Sequence, residues 1–181
     1  RVYSQVNQAM WCCVGTGMEN HSKYGHFIYT HDADKTLYVN LFTPSELNNE
    51  TFGLTQATIF PFIDPSVSAV PTPQTTVSRL TITKGGNYTL AVRHPAWVGE
   101  EYYVSVNGTP VATSVEKGKA SYVNISREWK PGDVVLIHLP MELSYEECPG
   151  YGDYIAFKFG PILLAAKTSQ DEKLPNEYAG A

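Results

Sequence analysis

Apolar and polar residues alternate with a period of two through most of the chain. Leu37, Val39 and Leu41 interleave with Thr36, Tyr38 and Asn40, and Val135, Ile137 and Leu139 with Val134, Leu136 and His138. A period of two puts alternate side chains on opposite faces of a strand, so each run predicts a strand with one buried face. The same reading places strands over His26–Tyr29, Thr36–Phe42, Phe52–Phe62, Val77–Thr83, Tyr88–Arg93, Tyr102–Val106, Val111–Val115 and Ala120–Ile125. Val134–Leu139, Tyr154–Phe159 and Ile162–Ala166 complete the set.

The punctuation between these runs supports them. Asp32-Ala33-Asp34, Gly85-Gly86-Asn87, Pro131-Gly132-Asp133 and Gly160-Pro161 are turn-forming sequences. Asn107-Gly108 is the strongest short hairpin signal, because both residues tolerate the positive φ of a type I′ turn. Residues 64–75 pass through Pro65, Pro71 and Pro73 and read as a connection. About ten short strands at near-regular spacing predict a mostly β protein, a β-sandwich or jelly roll. Residues 1–25 do not fit that pattern. Met18–Tyr24 reads as a helix stopped at Gly25. The expected organisation is therefore residues 1–25, a β-sandwich over 26–166, and a polar tail over 167–181.

Composition narrows the function classes. Of 181 residues, 13 are Lys or Arg and 18 Asp or Glu, a formal charge of −5. Nucleic-acid binding needs clustered cations to displace counterions, so no nucleic-acid partner is expected. No apolar run approaches the roughly 20 residues a membrane-spanning helix requires. The chain starts Arg1-Val2-Tyr3-Ser4, without an initiator Met, and the natural protein is expected to extend upstream. Asn20, Asn49, Asn87, Asn107 and Asn124 open N-x-Ser/Thr triplets, which matter only in a eukaryotic secretory route.

Chemistry concentrates in one stretch, Trp11-Cys12-Cys13-Val14-Gly15-Thr16-Gly17-Met18-Glu19-Asn20-His21. With only Cys148 besides, the cysteines do not make a disulfide framework. Three readings stand side by side. The pair supplies two of the four thiolate or imidazole ligands zinc favours, with Glu19, His21, His26 and Cys148 as in-chain candidates for the rest. Alternatively both are small buried hydrophobes, or one is a nucleophile beside a histidine base.

The run Cys12-Cys13-x-Gly15-x-Gly17-Met18-Glu19-Asn20-His21-x-Lys23-Tyr24-Gly25 resembles the double-cysteine signature of the β-L-arabinofuranosidase glycoside hydrolases, the family 127/146 type. Leu37–Phe42 with Pro44-Ser45, Arg93-His94-Pro95-Ala96-Trp97, Val106-Asn107-Gly108, Trp129-Lys130-x-Gly132-Asp133 and Phe159-Gly160-Pro161 follow in that family's order. The resemblance covers roughly residues 11–166. It implies a bacterial enzyme whose catalytic α/α barrel is followed by β-sandwich domains. Residues 1–25 are then the last element of a missing N-terminal barrel, and the rest a C-terminal sandwich portion that braces it.

It further implies that Cys12 is the nucleophile of a retaining glycosidase and a zinc ligand, and Cys13 a second zinc ligand. The family's remaining ligands and its acid/base glutamate lie upstream of the pair, and Arg1–Trp11 contain no Cys, Asp or Glu. The chain alone is therefore expected neither to hydrolyse arabinose-containing glycans nor to hold zinc tightly. Periplasmic or extracellular placement and self-association through the barrel-facing surface near Met10 and Trp11 are further expectations. A competing function is an autonomous carbohydrate-binding module.

Other candidates have plain structural readings. Glu19 and His21 could contact a sugar or support the cysteines, or simply face solvent. Trp97, Trp129 and Tyr102 could stack on sugar rings, but along a sandwich they are expected to pack the core and its corners. Glu146-Glu147-Cys148 reads as a solvated loop, and His94 as structural.

Overall fold

The computed structural model describes residues 12–60 and 75–165. It opens on a helix, α1 (Cys12–Ile28), which passes directly into the strand β1 (Tyr29–His31). The helix expected to end at Gly25 runs one turn further and absorbs His26–Ile28, which the alternation assigned to a strand. An internal glycine costs a helix about 1 kcal/mol and does not by itself end it. Here the last turn is held by the sandwich. Ile28 is buried, and its carbonyl accepts the Asn40 backbone N–H at 2.9 Å.

Two sheets pack face to face. The first has the order β1–β2 (Thr36–Val39)–β6 (Gly86–His94)–β9 (Ser121–Trp129), with β2 and β6 parallel. The second has the order β3 (Ser45–Asn48)–β4 (Gly53–Ile59)–β5 (Thr75–Lys84)–β10 (Val134–Pro140)–β7 (Tyr103–Val106)–β8 (Thr109–Pro110). Leu37, Val39, Leu90, Val92, Val123 and Ile125 from the first sheet meet Leu54, Leu80, Ile82, Val104, Val135 and Ile137 from the second in one core. These are the apolar positions of the two-residue alternation, and the mostly β sandwich fold is the one it predicts.

A third sheet, β11 (Leu143–Cys148)–β12 (Tyr151–Phe159)–β13 (Ile162–Leu163), follows the sandwich. Glu146-Glu147-Cys148 is solvated as expected, yet it is strand, with Glu147 opposite Ile155. The return strand expected over Val111–Val115 is only the two residues of β8. Pro110 has no N–H to continue the ladder, and Val111 and Val115 pack on the core from irregular chain instead. Of the connection expected over 64–75, residue Thr75 already begins β5; the rest of it, the polar tail, Met10 and Trp11 lie outside the described residues.

At the hairpin between β7 and β8, Asn107 and Gly108 take φ of 50° and 79°, as a type I′ turn requires. Gly160 is another position where glycine is needed. Its φ is 55°, and a β-carbon there would lie 2.8 Å from Met141 Cγ. Gly160→Ala combines left-handed backbone strain with a core clash. It is expected to lower stability by about 1–3 kcal/mol in urea unfolding. A neutral result would mean the chain reversal at Phe159–Pro161 is built differently.

Candidate functional site

Cys12 and Cys13 occupy consecutive positions in the first described turn of α1. Glu19 and His21 are exposed on the same helix, and the His21 ring meets Tyr24 edge-on, at 5.6 Å. Cys148 is exposed on β11. Among the described residues, no three His, Cys, Asp or Glu side chains come together in a way that could hold a metal ion. The donor types of the cysteine pair suit zinc, but two thiols are half of its usual set of four.

A second site emerges that the linear sequence did not announce. The Leu41-Phe42-Thr43-Pro44 loop, the Arg93–Trp97 segment, Phe60 and Pro161 enclose a groove of about 640 Å³. Its walls are built deliberately. Gln56, 4% exposed, donates from Nε2 to the carbonyls of Leu41 (2.9 Å) and Thr43 (2.6 Å), which fixes the first loop. His94 is buried, with Nδ1 3.0 Å from the Lys119 carbonyl and its ring edge-on to Tyr102 at 4.7 Å. Tyr102 in turn donates its hydroxyl to the Arg93 carbonyl at 3.4 Å, and burial pushes its pKa well above the ordinary tyrosine value. His94 and Tyr102 are thus structural, and they hold the backbone that presents Arg93 and Trp97.

Trp97 is half-buried between this groove and a smaller one on its other side. The smaller groove is closed by ion pairs. Lys117 Nζ lies 2.7 Å from Glu142 and 3.8 Å from Glu100, and Lys158 pairs with Glu146. The hydrogen bond from Lys117 holds the Glu142 carboxyl below its usual pKa, and the Lys117 ammonium is raised in return. Trp129, the third aromatic candidate, is core. Its Nε1 donates to the Tyr88 carbonyl at 3.2 Å and the ring is 1% exposed.

Two twisted sheets around a single apolar core, with a helix leading in and a third sheet leading out, define a β-sandwich domain. Residues 36–141 match the family profile described as the β-L-arabinofuranosidase, GH127 middle domain. The match spans more than half of the chain, and the chain belongs to that family. It is described as a middle domain, so it lends no support to a C-terminal position.

Solved structures agree on the fold. A GH127 β-L-arabinofuranosidase from Geobacillus stearothermophilus T6 aligns with a TM-score of 0.58 at 22% identity, over 84% of this chain and 23% of its own. A glycoside hydrolase aligns at 0.63 and 21%, over 90% of this chain and 28% of its own. A GH127 β-arabinofuranosidase aligns at 0.53 and 25%, over 75% and 23%. The chain therefore spans about a quarter of the length of each. None of the curated proteins matches it.

Proposed function

We propose that this chain is the sandwich portion of a larger zinc-thiolate glycoside hydrolase acting on β-L-arabinofuranosyl groups, and that it braces a catalytic α/α barrel it does not contain. The observation that carries the reading is the family match over residues 36–141, downstream of the Cys12–Cys13 pair on α1. In the whole enzyme Cys12 is the nucleophile that attacks the anomeric carbon, and Cys12 and Cys13 are two of the zinc ligands. Zinc, when bound, keeps a cysteine sulfur anionic near neutral pH and eases its departure as a leaving group. α1 carries these two residues, and the Ile28–Asn40 backbone bond ties the end of that helix to the first sheet. In this reading the sandwich anchors the C-terminal end of the helix that bears the nucleophile.

The division of labour is testable. The pure chain is expected to release no nitrophenol from an aryl β-L-arabinofuranoside and to retain no zinc through dialysis. In the barrel-containing enzyme, Cys12→Ser should lower kcat by at least about 1,000-fold, the scale of losing a covalent nucleophile. Turnover by the isolated chain, or a fully active Cys12→Ser enzyme, would overturn the assignment.

A further inference from the structure

The groove beside Trp97 has a composition that selects a ligand. Phe42, Pro44, Phe60, Pro95 and Trp97 make its walls apolar, and Arg93 is its one ionisable lining residue among those described. The chain carries a formal charge of −5, yet no described carboxylate lines this groove. The five ion pairs among the described residues all lie elsewhere, so none of them neutralises Arg93. Some of the other polar groups are already engaged. Asn40 accepts from the Tyr122 hydroxyl at 2.7 Å and donates to Thr30 at 3.0 Å, while Thr58 pairs with Ser78. At 640 Å³ the space lies within the roughly 300–1,000 Å³ of small-molecule sites.

An apolar, aromatic-walled groove with a single guanidinium, paired with no carboxylate among the described residues, fits a ligand with a flat C–H face and one anionic group. A guanidinium fork receives a carboxylate through two parallel N–H···O bonds, and an indole offers a face on which a sugar ring stacks. We propose that this groove binds a uronate-bearing oligosaccharide, with the uronate carboxylate on Arg93 and a sugar ring against Trp97. The anchoring is built in: Tyr102 holds the Arg93 backbone, and Gln56 holds the loop carrying Phe42. The inference rests on the glycoside-hydrolase reading for its ligand class. In the whole enzyme the groove holds an acidic branch of the glycan while the barrel acts on arabinofuranosyl groups.

Calorimetric titration of the full chain with digalacturonate, against neutral cellobiose of similar size, tests this directly. Digalacturonate is expected to bind and cellobiose to bind at least about 10-fold more weakly. Arg93→Gln should weaken digalacturonate at least about 10-fold, the scale of a charge-assisted hydrogen-bond pair. Arg93→Lys should restore part of the affinity, and Trp97→Leu should weaken both sugars. Because Arg93 is half-buried on strand β6, Arg93→Gln is expected to melt within a few degrees of the parent, which separates lost binding from lost fold. No heat with digalacturonate, equal affinity for the neutral sugar, or binding unchanged in Arg93→Gln would each overturn the proposal. None of these readouts involves hydrolysis, so their failure leaves the glycosidase assignment standing, and the nitrophenol assay can fail independently.

Discussion

Trp129→Ala is expected to lower stability by about 3–5 kcal/mol, the cost of removing a fully buried aromatic side chain and leaving a cavity behind. The indole is 1% exposed and makes three contacts with two residues. It stacks on Tyr88 at 5.9 Å with the planes 28° apart, donates to the Tyr88 carbonyl, and lies under the Arg127 guanidinium at 5.2 Å. Tyr88 in turn meets Phe52 edge-on at 5.0 Å, so the aromatic row joins the two sheets. Burial has already pushed the Tyr88 hydroxyl up to about 12, and that oxygen has no hydrogen-bond partner among the described residues. The row therefore tolerates little added disturbance. Against a domain stability of about 5–15 kcal/mol, the loss removes a large share of the total. In urea unfolding, Trp129→Phe should recover most of it. A Trp129→Ala chain within 1 kcal/mol of the parent would show that this row does not hold the sheets together.

Asp133→Ala is expected to cost about 1–3 kcal/mol at neutral pH, because it removes a carboxylate that accepts two hydrogen bonds. Asp133 Oδ1 accepts from Asn107 Nδ2 at 2.8 Å, and Oδ2 accepts from the Lys130 backbone N–H at 2.9 Å. Asn107 also accepts the Val134 N–H at 2.8 Å, so one carboxylate locks the β7–β8 hairpin to the turn that starts β10. The Asn107 and Lys130 hydrogen bonds, with the nearby Arg127 charge, hold the Asp133 carboxyl below its usual pKa against the opposing effect of burial. A carboxyl depressed in the folded state stabilises it above the unfolded pKa of about 3.9, and that stabilisation disappears as pH falls through the lower folded value. The gap in stability between parent and Asp133→Ala should therefore narrow below about pH 4. A gap that stays constant with pH would mean the carboxylate's charge plays no part.

Where one face of a strand is buried, the alternation of side chains made it visible in the sequence. β2, β5, β6, β9 and β10 each carry a regular buried face, and all were legible. β3 and β11 were not. In β3 only Leu47 is a half-buried hydrophobe, and every residue of β11 is exposed, so neither has a fully buried apolar face to read. The helix end was misread because Gly25 looked like a stop, whereas a backbone bond from Asn40 holds the turn beyond it. The cysteine pair carried chemical meaning through its resemblance and its neighbours, not through its spacing. The Arg93–Trp97 groove was illegible because its walls come from segments more than 100 residues apart, Leu41–Pro44 through Pro161.

The strand order has a consequence for how the chain reaches this state. β10 lies between β5 and β7, although it is the last strand of either main sheet to be synthesised. The parallel neighbour of β2 is β6, which the chain reaches only after laying down three strands of the opposite layer. The first layer has all its strands once Trp129 is made, but the second does not, and until Val134–Pro140 has left the ribosome β5 and β7 both present open edges. Long-range pairings of this kind form slowly. Any product truncated ahead of Val134 is left with two sticky flanks and no means of closing them.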